Sequence, residues 1–357
     1  MRKKGNSLRN IVRTLAFIGS LAAFFVLLSR QDLTQVIGLV RKAGLSVVLI
    51  LVPYFVALCF DSIGWRLLFA RLRARPPVPR LFAIRLCTEA LNVSLPAGAV
   101  FAETLSPLLL RDRAGVAMPD AVAATLGKKW IVMRSHGLYI ALSVLCGGGV
   151  LAAHSRELIG TQGLPWLVFI SAFVPMGLSL GVGASLTRGS VATRIQHWLS
   201  KLPGRVGAFF TSRKGAFVQT DAQLSVLDDR GPVPKGLTTA FFLLAWFCES
   251  VESWLILRVL GANAAFVQVL AFEAGLSLLR NFFFFAPAGL FFQDLGYLRC
   301  FSALGLTDAA SVATAFVVLK RAKELVYVGI GYLAWIVMGV SFRRASGAVD
   351  GETHGRT

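Results

Sequence analysis

Long apolar runs separated by short basic stretches give the chain its pattern. Four runs reach the roughly 20 residues that a helix needs to cross the hydrocarbon core of a membrane, and they cover 44–70, 163–187, 236–257 and 309–340. These runs lack the strict alternation of a membrane β-barrel strand, and backbone groups in lipid must find their partners within the protein. The sequence therefore predicts an all-α, polytopic integral membrane helix bundle.

Composition excludes an ordinary soluble domain. Hydrophobic residues make up 55% of the 357 residues and charged residues only 15%, against about 25% charged residues in soluble domains. The net charge of +19 comes from basic residues between the apolar runs, which is typical of the loops of membrane proteins and does not indicate nucleic-acid binding. The five cysteines fall in apolar segments without metal-ligand spacing, so we expect no metal, cofactor or disulfide framework.

Basic residues also predict the orientation. An apolar run at 14–29 follows a basic N-terminus without a small-x-small cleavage site, so we expect an uncleaved anchor helix and a cytoplasmic N-terminus. Counting lysine and arginine at later segment ends places 30–43 and 259–265 outside. The same count places a polar tail at 341–357 in the cytoplasm, so both termini are expected inside a cell membrane.

Two apolar stretches are each interrupted by the same short motif. PAGAVFAE covers 96–103 and PAGLFFQD covers 287–294. The matched residues are Pro96 and Pro287, Gly98 and Gly289, Phe101 and Phe292, and Glu103 and Asp294. The breaks predict two helical hairpins, either re-entrant or fully spanning, that enter the membrane from opposite sides.

The two motifs predict an inverted repeat within one membrane domain at 1–340, with halves at about 44–153 and 236–340. Each break is followed by a glycine, Gly115 or Gly305, from which the next helix is expected to start. Inverted repeats with broken helices are typical of secondary transporters, whose substrate sites lie near the membrane midplane. The alternative is that proline and glycine kinks match by chance in a largely apolar sequence.

Charged residues inside membrane segments cost about 2.5–3.5 kcal/mol each at a helix centre, so each needs a physical reason. Glu103 and Asp294 are the first candidates for a substrate or coupling site, because both follow a break where half-helix ends can line a wet cavity. They would attract a cationic headgroup or exchange a proton. Alternatively, each carboxylate caps the half-helix that begins just after its glycine.

Two basic doublets follow the breaks at related places. Lys128 and Lys129 lie in the first half, and Lys320 and Arg321 lie in the second. The spacing predicts that Lys320 pairs with Glu324 on one helix face, while Arg321 points elsewhere, towards a phosphate. Basic groups beside two acidic breaks suit a zwitterionic or phosphate-bearing headgroup. The alternative is that these side chains snorkel to the membrane interface.

Other intramembrane charges have structural explanations. Glu249 and Glu252 share a helix face and predict an internal salt bridge, with Arg258, Arg280 or a coupling ion as the partner. Asp61 is assigned to no site, because it lies near the predicted cytoplasmic end of its helix, where charge costs little.

The sequence resembles a known family of membrane proteins. The segments RNFFFFAPAGLFFQDLGYLRCFSALGLTDAA and KRAKELVYVGIGYLAW carry the resemblance most clearly, and it extends over 11–340. They are similar to flippase-like proteins related to the transmembrane region of lysylphosphatidylglycerol synthases, and in particular to the subgroup associated with hopanoid biosynthesis. The resemblance implies movement of a lipid, or of a lipid-linked headgroup, between leaflets, with membrane lipids as partners. It covers only the membrane part of such synthases, so it implies no synthase activity.

Two other classes of function stay open. A non-catalytic scaffold for a lipid-synthesis enzyme would tolerate changes to the intramembrane charges. A membrane-embedded transferase would need an acidic cluster facing water, for which the candidates are Asp221, Asp228 and Asp229. The sequence contains no nucleotide-binding loop, nucleophile elbow or metal-ligand spacing, so we expect no enzyme activity.

Overall fold

A computed structural model of the protein describes residues 33–339, apart from 70–71, 73, 96–97, 188–190, 202–210, 213, 229–231, 283–291 and 307. The regular elements within this part of the chain are all helices, as the sequence predicts. The predicted anchor helix at 14–29, the tail at 341–357, and Pro96, Pro287 and Gly289 lie outside the described residues.

The helices are numbered in chain order from residue 33. They are α1 (Leu33–Ala43), a 3₁₀ segment (Gly44–Ile50), α2 (Leu51–Leu68), α3 (Val78–Ser94), α4 (Gly98–Ala114), α5 (Met118–Ala153), α6 (Ser155–Ile159), α7 (Leu164–Thr187), α8 (Val191–Ser200), α9 (Lys214–Asp228), α10 (Pro232–Val259), α11 (Phe266–Phe282), α12 (Phe292–Ala303) and α13 (Ala309–Val337).

Four helical stretches in the described part are long and apolar enough to cross a membrane. They are Ile37–Leu68, Met118–Ala153, Leu164–Gly181 and Gly236–Val259. The first of them begins in α1 and continues through the 3₁₀ segment into α2. It therefore starts before the predicted segment at 44–70 and includes residues that the sequence places in an external loop at 30–43.

The helix α7 presents a broad apolar surface away from the bundle. Its exposed large side chains are Trp166, Leu167, Ile170, Phe173, Val174, Leu178 and Leu180. A soluble protein rarely leaves so large a continuous apolar surface uncovered, whereas a lipid-facing helix needs one.

The helix α13 buries charged side chains and exposes apolar ones, which is the reverse of a helix at a water surface. It contains 29 residues, so it is about 44 Å long and exceeds the thickness of a hydrocarbon core. The charged side chains of Lys320 and Lys323 are buried in the protein, whereas Leu325 and Leu333 are exposed. Its charges therefore face the bundle, which explains how a helix with several charges at its centre lies within a membrane domain.

The first predicted hairpin consists of α3 and α4, which pack against each other. The helix α3 ends at Ser94 and α4 begins at Gly98, so the predicted interruption is present. A Cβ atom on Gly98 would lie 2.3 Å from the carbonyl oxygen of Leu91, so only glycine fits this approach without a backbone shift. Each limb has 17 residues, or about 25 Å, which is shorter than a typical hydrocarbon core of about 30 Å.

The second predicted hairpin has α11 and α12 as its limbs, and its PAG motif lies outside the described residues. Gly115 and Gly305, expected to start helices, instead follow the ends of α4 and α12, each with a φ angle of 65°. Such left-handed glycines end the preceding helix, because they let its last carbonyl groups find hydrogen bonds.

Helices from the first half of the chain pack against helices from the second half. The helices α2 and α10 lie against each other, α3 packs on α13, and α11 packs on α5. At the contact between α3 and α13, a Cβ atom on Gly331 would lie 2.5 Å from the carbonyl oxygen of Leu86 and 2.7 Å from the Cβ atom of Ala90. Small residues allow this close backbone approach, which is a common way of packing helices in membranes.

We expect Gly331→Ala to destabilise the bundle by about 1–3 kcal/mol, because the added methyl group meets backbone atoms that cannot move aside. Gly329→Ala on the same helix is the matched control, since a Cβ atom there has nothing within 4 Å. Thermal unfolding in detergent, followed by size-exclusion chromatography, measures both variants. Equal melting temperatures for the two variants would contradict the close approach of α13 to α3.

Candidate functional site

Three basic side chains of α13 point into the bundle and meet different partners. Lys323 Nζ lies 2.9 Å from Glu252 Oε1 on α10. Arg321 donates a hydrogen bond from Nη2 to Asp294 Oδ1 on α12 at 2.7 Å. Lys320 lies on the same face of α13 as Lys323, because residues three apart are neighbours on a helix surface. The helical spacing thus directs these charges towards separate helices of the second half.

Lys320 enters a cluster of hydroxyl groups around a buried carboxylate. Its Nζ atom donates to the hydroxyl of Tyr297 at 2.7 Å and to the hydroxyl of Ser253 at 3.2 Å. Glu273 Oε1 lies 3.5 Å from Nζ and accepts hydrogen bonds from both hydroxyl groups, at 2.7 Å in the case of Tyr297. Lysine and glutamate are therefore connected by two hydroxyl bridges as well as by direct attraction.

Arg321 takes the acidic partner that the sequence assigns to Lys320. Its Nη1 atom donates to Glu324 Oε2 at 2.7 Å, while its Nη2 atom binds Asp294 at the same distance. The predicted pairing of Lys320 with Glu324 is therefore wrong. The reason is that Lys320 turns towards α11 and α12, which leaves Glu324 to the arginine one turn before it. Asp294 also lies in the first turn of α12, as the capping interpretation requires.

The first half contains a second group of charges, which is partly buried, on α2, α3 and α5. Lys128 Nζ lies 2.6 Å from Asp61 Oδ1, and Arg85 Nε lies 3.4 Å from the same oxygen. Arg85 also contacts Glu89 Oε2 at 2.5 Å. The hydroxyl of Tyr54 donates to the other oxygen of Glu89 at 2.7 Å. Asp61, left without a role by the sequence, is the carboxylate that holds Lys128.

A cation–π contact joins the two groups of charges. Lys323 Nζ lies 4.1 Å from the centre of the Tyr54 ring, a distance at which an ammonium group is attracted to the ring face. We call the resulting series of contacts the polar chain. Its members, in order, are Lys128, Asp61, Arg85, Glu89, Tyr54, Lys323 and Glu252.

The polar chain is costly unless its members stay paired. Removing one partner of a buried ion pair typically costs about 3–5 kcal/mol, because the other charge is left without compensation. A well-packed apolar core would serve stability at least as well. The presence of so many charges inside a membrane bundle therefore indicates a functional polar region more strongly than a structural one.

Glu103 and Lys129 form a separate ion pair at the protein surface. The distance between Lys129 Nζ and Glu103 Oε1 is 3.1 Å, and the two side chains are 51% and 44% exposed. Asp294 and Arg321, the corresponding acid and base of the second half, are 4% and 13% exposed. Each acid that follows a PAG motif is thus paired with the second residue of the basic doublet later in the same half. Glu103 pairs with Lys129 at the protein surface, and Asp294 pairs with Arg321 in the interior.

The expected salt bridge of Glu252 is present, but with a different base. Its partner is Lys323, whereas Arg258 lies at the end of α10 with its Nη1 atom 3.1 Å from Asn263 Oδ1. The side chain of Arg280 lies outside the described residues. Lys323 was missed as a partner because it lies far from Glu252 in sequence and comes close only when α13 packs beside α10.

Several residues of the site escaped sequence reasoning. Sequence reasoning gave Arg85 no role, although its spacing from Glu89 is that of a helical ion pair. Tyr54, Ser253 and Tyr297 are neutral, and no sequence pattern distinguishes them from other interior polar residues.

The acid proposed for a surface transferase has a structural role. The carboxylate of Asp221 on α9 accepts hydrogen bonds from the backbone N–H groups of Ala192 and Thr193, at 2.7 and 2.9 Å. It therefore holds the start of α8, as acidic residues commonly do at helix N-termini. The side chains of Asp228 and Asp229 lie outside the described residues.

Comparison with known proteins gives a family for the whole membrane region. The family described as "Lysylphosphatidylglycerol synthase TM region" matches residues 11–331. Comparisons with curated proteins and with solved structures give no match. The matched range includes every residue of the polar chain and both acid–base pairs that follow the breaks. The protein therefore belongs to the family of the lysylphosphatidylglycerol synthase transmembrane region.

Proposed function

We propose that this protein moves a lipid, or a lipid-linked headgroup, between the leaflets of the cell membrane, and that it is a transporter rather than an enzyme. The polar chain is the observation that carries the proposal. A headgroup that leaves water loses its hydrogen bonds, and paired charges inside the bundle supply replacements. The family, a membrane region of proteins connected with lipid modification, supports a lipid as the substrate. A role alongside hopanoid synthesis is the narrower assignment that follows from the sequence resemblance.

We also propose that the two halves form an inverted repeat. Asp61 and Glu252 each lie 35 residues before the proline of their PAG motif, and Glu103 and Asp294 each lie seven residues after it. The hairpin helix α3 packs on α13 of the other half, and α11 packs on α5 in return. Two halves related by a two-fold axis would exchange partners in this way, and transporters with inverted repeats bind their substrates between the halves.

The exposed pair of Glu103 and Lys129 is the proposed first contact of the headgroup. A phosphate would replace the carboxylate beside Lys129, and an amine would replace the ammonium group beside Glu103. Opening this pair costs little, because exposed ion pairs contribute about 0–1 kcal/mol. The buried pair of Asp294 and Arg321 is the proposed equivalent in the second half.

We expect Lys129→Gln to slow transfer of both test lipids by about tenfold, because it removes a charge-assisted contact to the phosphate that both carry. Glu103→Gln should slow only phosphatidylethanolamine by about tenfold, because phosphatidylglycerol has no amine for the carboxylate to bind. The measurement uses purified protein in liposomes with fluorescent short-chain phosphatidylethanolamine and phosphatidylglycerol, extracted from the outer leaflet by albumin. Glu157→Gln is the control, since Glu157 is 57% exposed and lies away from the pair, near His154. Full transfer of phosphatidylethanolamine by Glu103→Gln would contradict the headgroup contact and favour a scaffold.

The buried pair should respond differently. We expect Asp294→Asn to lower the stability of the bundle by about 3–5 kcal/mol, because Arg321 keeps its charge in a buried position. Glu103→Gln should lower it by less than about 1 kcal/mol. Thermal unfolding in detergent compares the two variants. Equal melting temperatures would show that the pairs do not differ in burial within the membrane protein.

The proposed orientation has both termini in the cytoplasm, as the basic residues indicate. We expect a single cysteine introduced at 262, between α10 and α11, to react with an impermeant maleimide in intact cells. A cysteine introduced at Arg75, between α2 and α3, should react only after the membrane is opened. Labelling of the second position in intact cells would overturn the proposed orientation.

A further inference from the structure

Glu273 is a deeply buried acid of the second half that the proposed headgroup contacts do not use. Its side chain is 2% exposed. It lies on α11, facing Ser253 of α10, Tyr297 of α12 and Lys320 of α13. The sequence contains no neighbouring charge that would identify it as part of a site, because its partners come from three other helices.

Glu273 lies farther from its base than the acids of the other buried pairs lie from theirs. Lys323 and Glu252 approach to 2.9 Å, and Arg321 and Asp294 approach to 2.7 Å. Lys320 and Glu273 remain 3.5 Å apart, and the hydroxyl of Tyr297 lies 2.7 Å from each of them. A hydroxyl group can donate one hydrogen bond and accept others, so it can pass a proton between its neighbours.

Aromatic rings close one side of this cluster. The ring of Tyr297 lies 4.6 Å from that of Phe316 and 5.9 Å from that of Phe301. The ammonium group of Lys320 lies 4.9 Å from the centre of the Tyr297 ring. The Lys320 side chain keeps 11% exposure, so the tyrosine hydroxyl and the lysine separate the buried carboxylate from the accessible surface of the bundle.

We propose that Glu273 is a proton-binding site that couples lipid movement to a proton gradient across the membrane, an inference that rests on the proposed function. In the step, a proton leaves water on one side and bonds to a carboxylate oxygen of Glu273, which becomes a neutral carboxylic acid. After the conformational change, the same proton leaves that oxygen for water on the other side. No other bond is made or broken, and one charge crosses for each proton.

The charge on Glu273 couples proton binding to headgroup binding. Protonation removes the negative charge that faces Lys320, so the ammonium group next to Arg321 becomes available to a lipid phosphate. Bound proton and bound phosphate then stabilise each other, because the phosphate replaces the charge that the proton has cancelled. This makes the protein a symporter, in which proton and headgroup move in the same direction.

The surroundings leave Glu273 as the acid best placed for this role. The titratable or charged groups that interact with Glu273 include Tyr297 and Cys300 on α12 and Lys320 on α13. Nearby elements carry the pair of Glu252 and Lys323, the pair of Asp294 and Arg321, and His154 beside Phe272 at the end of α5. Glu252 is held by Lys323 in a close pair. Protonation of Glu252 would leave Lys323 against the Tyr54 ring, away from the proposed phosphate position at Arg321.

The test measures how labelled lipid distributes between leaflets at steady state. Wild-type protein is reconstituted in liposomes with short-chain fluorescent phosphatidylethanolamine, and valinomycin with equal potassium on both sides removes any membrane potential. With one proton per lipid, a gradient of one pH unit shifts the leaflet ratio by about tenfold. The lipid accumulates in the leaflet that faces the more alkaline solution, whichever way the protein is inserted.

The wild-type result separates the two proposals. If labelled lipid does not move at equal pH, the proposed function fails. If it moves but reaches a ratio of about one under the gradient, or accumulates on the acidic side, the transport proposal stands and proton symport is overturned. Accumulation on the alkaline side supports the inference.

Two variants then test whether the coupling of lipid movement to the proton gradient depends on this cluster. Glu273→Gln should not accumulate lipid, whereas wild-type accumulation by this variant would overturn the assignment. Tyr297→Phe keeps the ring but removes the bridging hydroxyl, and its ratio should fall severalfold below that of wild type. The matched control is Tyr332→Phe, because the hydroxyl of Tyr332 contacts Ser94 at 2.7 Å outside the cluster. If Glu273→Gln does not fold or transfers no lipid, Tyr297→Phe decides, and a ratio equal to that of Tyr332→Phe overturns the role of the cluster.

Discussion

A charge inside a membrane must meet an opposite charge within the protein, and the arrangement of this bundle follows from that constraint. The helices α10, α11 and α12 each bring an acid to a base on α13, and α4 brings an acid to a base on α5. The helices α3 and α5 each bring a base to the same acid on α2. Apolar packing alone would allow many relative rotations of these helices, since lipid and leucine are equally apolar. The ion pairs select one rotation for each helix, because any other would leave a charge in hydrocarbon.

The helical architecture could be predicted from the sequence, because it depends on the length and hydropathy of the apolar runs. A run of apolar residues long enough to span a membrane leaves little choice but a helix, and the segment expected at 163–187 is helical from 164 to 187. The break before Gly98 was also predictable, since proline and glycine interrupt helices for local reasons. The residues at 33–43 could not be predicted as a helix, because their basic residues resemble a loop, whereas in the structure they form α1, which ends before Gly44.

Only part of the candidate site could be predicted from the sequence. Lys128, Lys129, Lys320 and Arg321 could be selected because a charge in an apolar segment is conspicuous. Their partners depend on how helices pack, and a preference among residues three or four apart is worth only about 0.2–0.5 kcal/mol, too little to decide against a tertiary contact. This is why Lys320 turned to a cluster built around Glu273 rather than to Glu324.

The length of α5 has a mechanical consequence. Its 36 residues form a rod of about 54 Å, longer than the whole bilayer with its headgroups at about 40–45 Å. A rod of that length that turns by about 10° around its middle displaces each end by about 5 Å. Lys128 and Lys129 lie in the half of α5 nearer its start, and α11 packs along the same helix. A small tilt of α5 would therefore act as a lever, moving the two lysines by about 2 Å relative to α2 and α4 while hardly altering the packing at the middle of the rod.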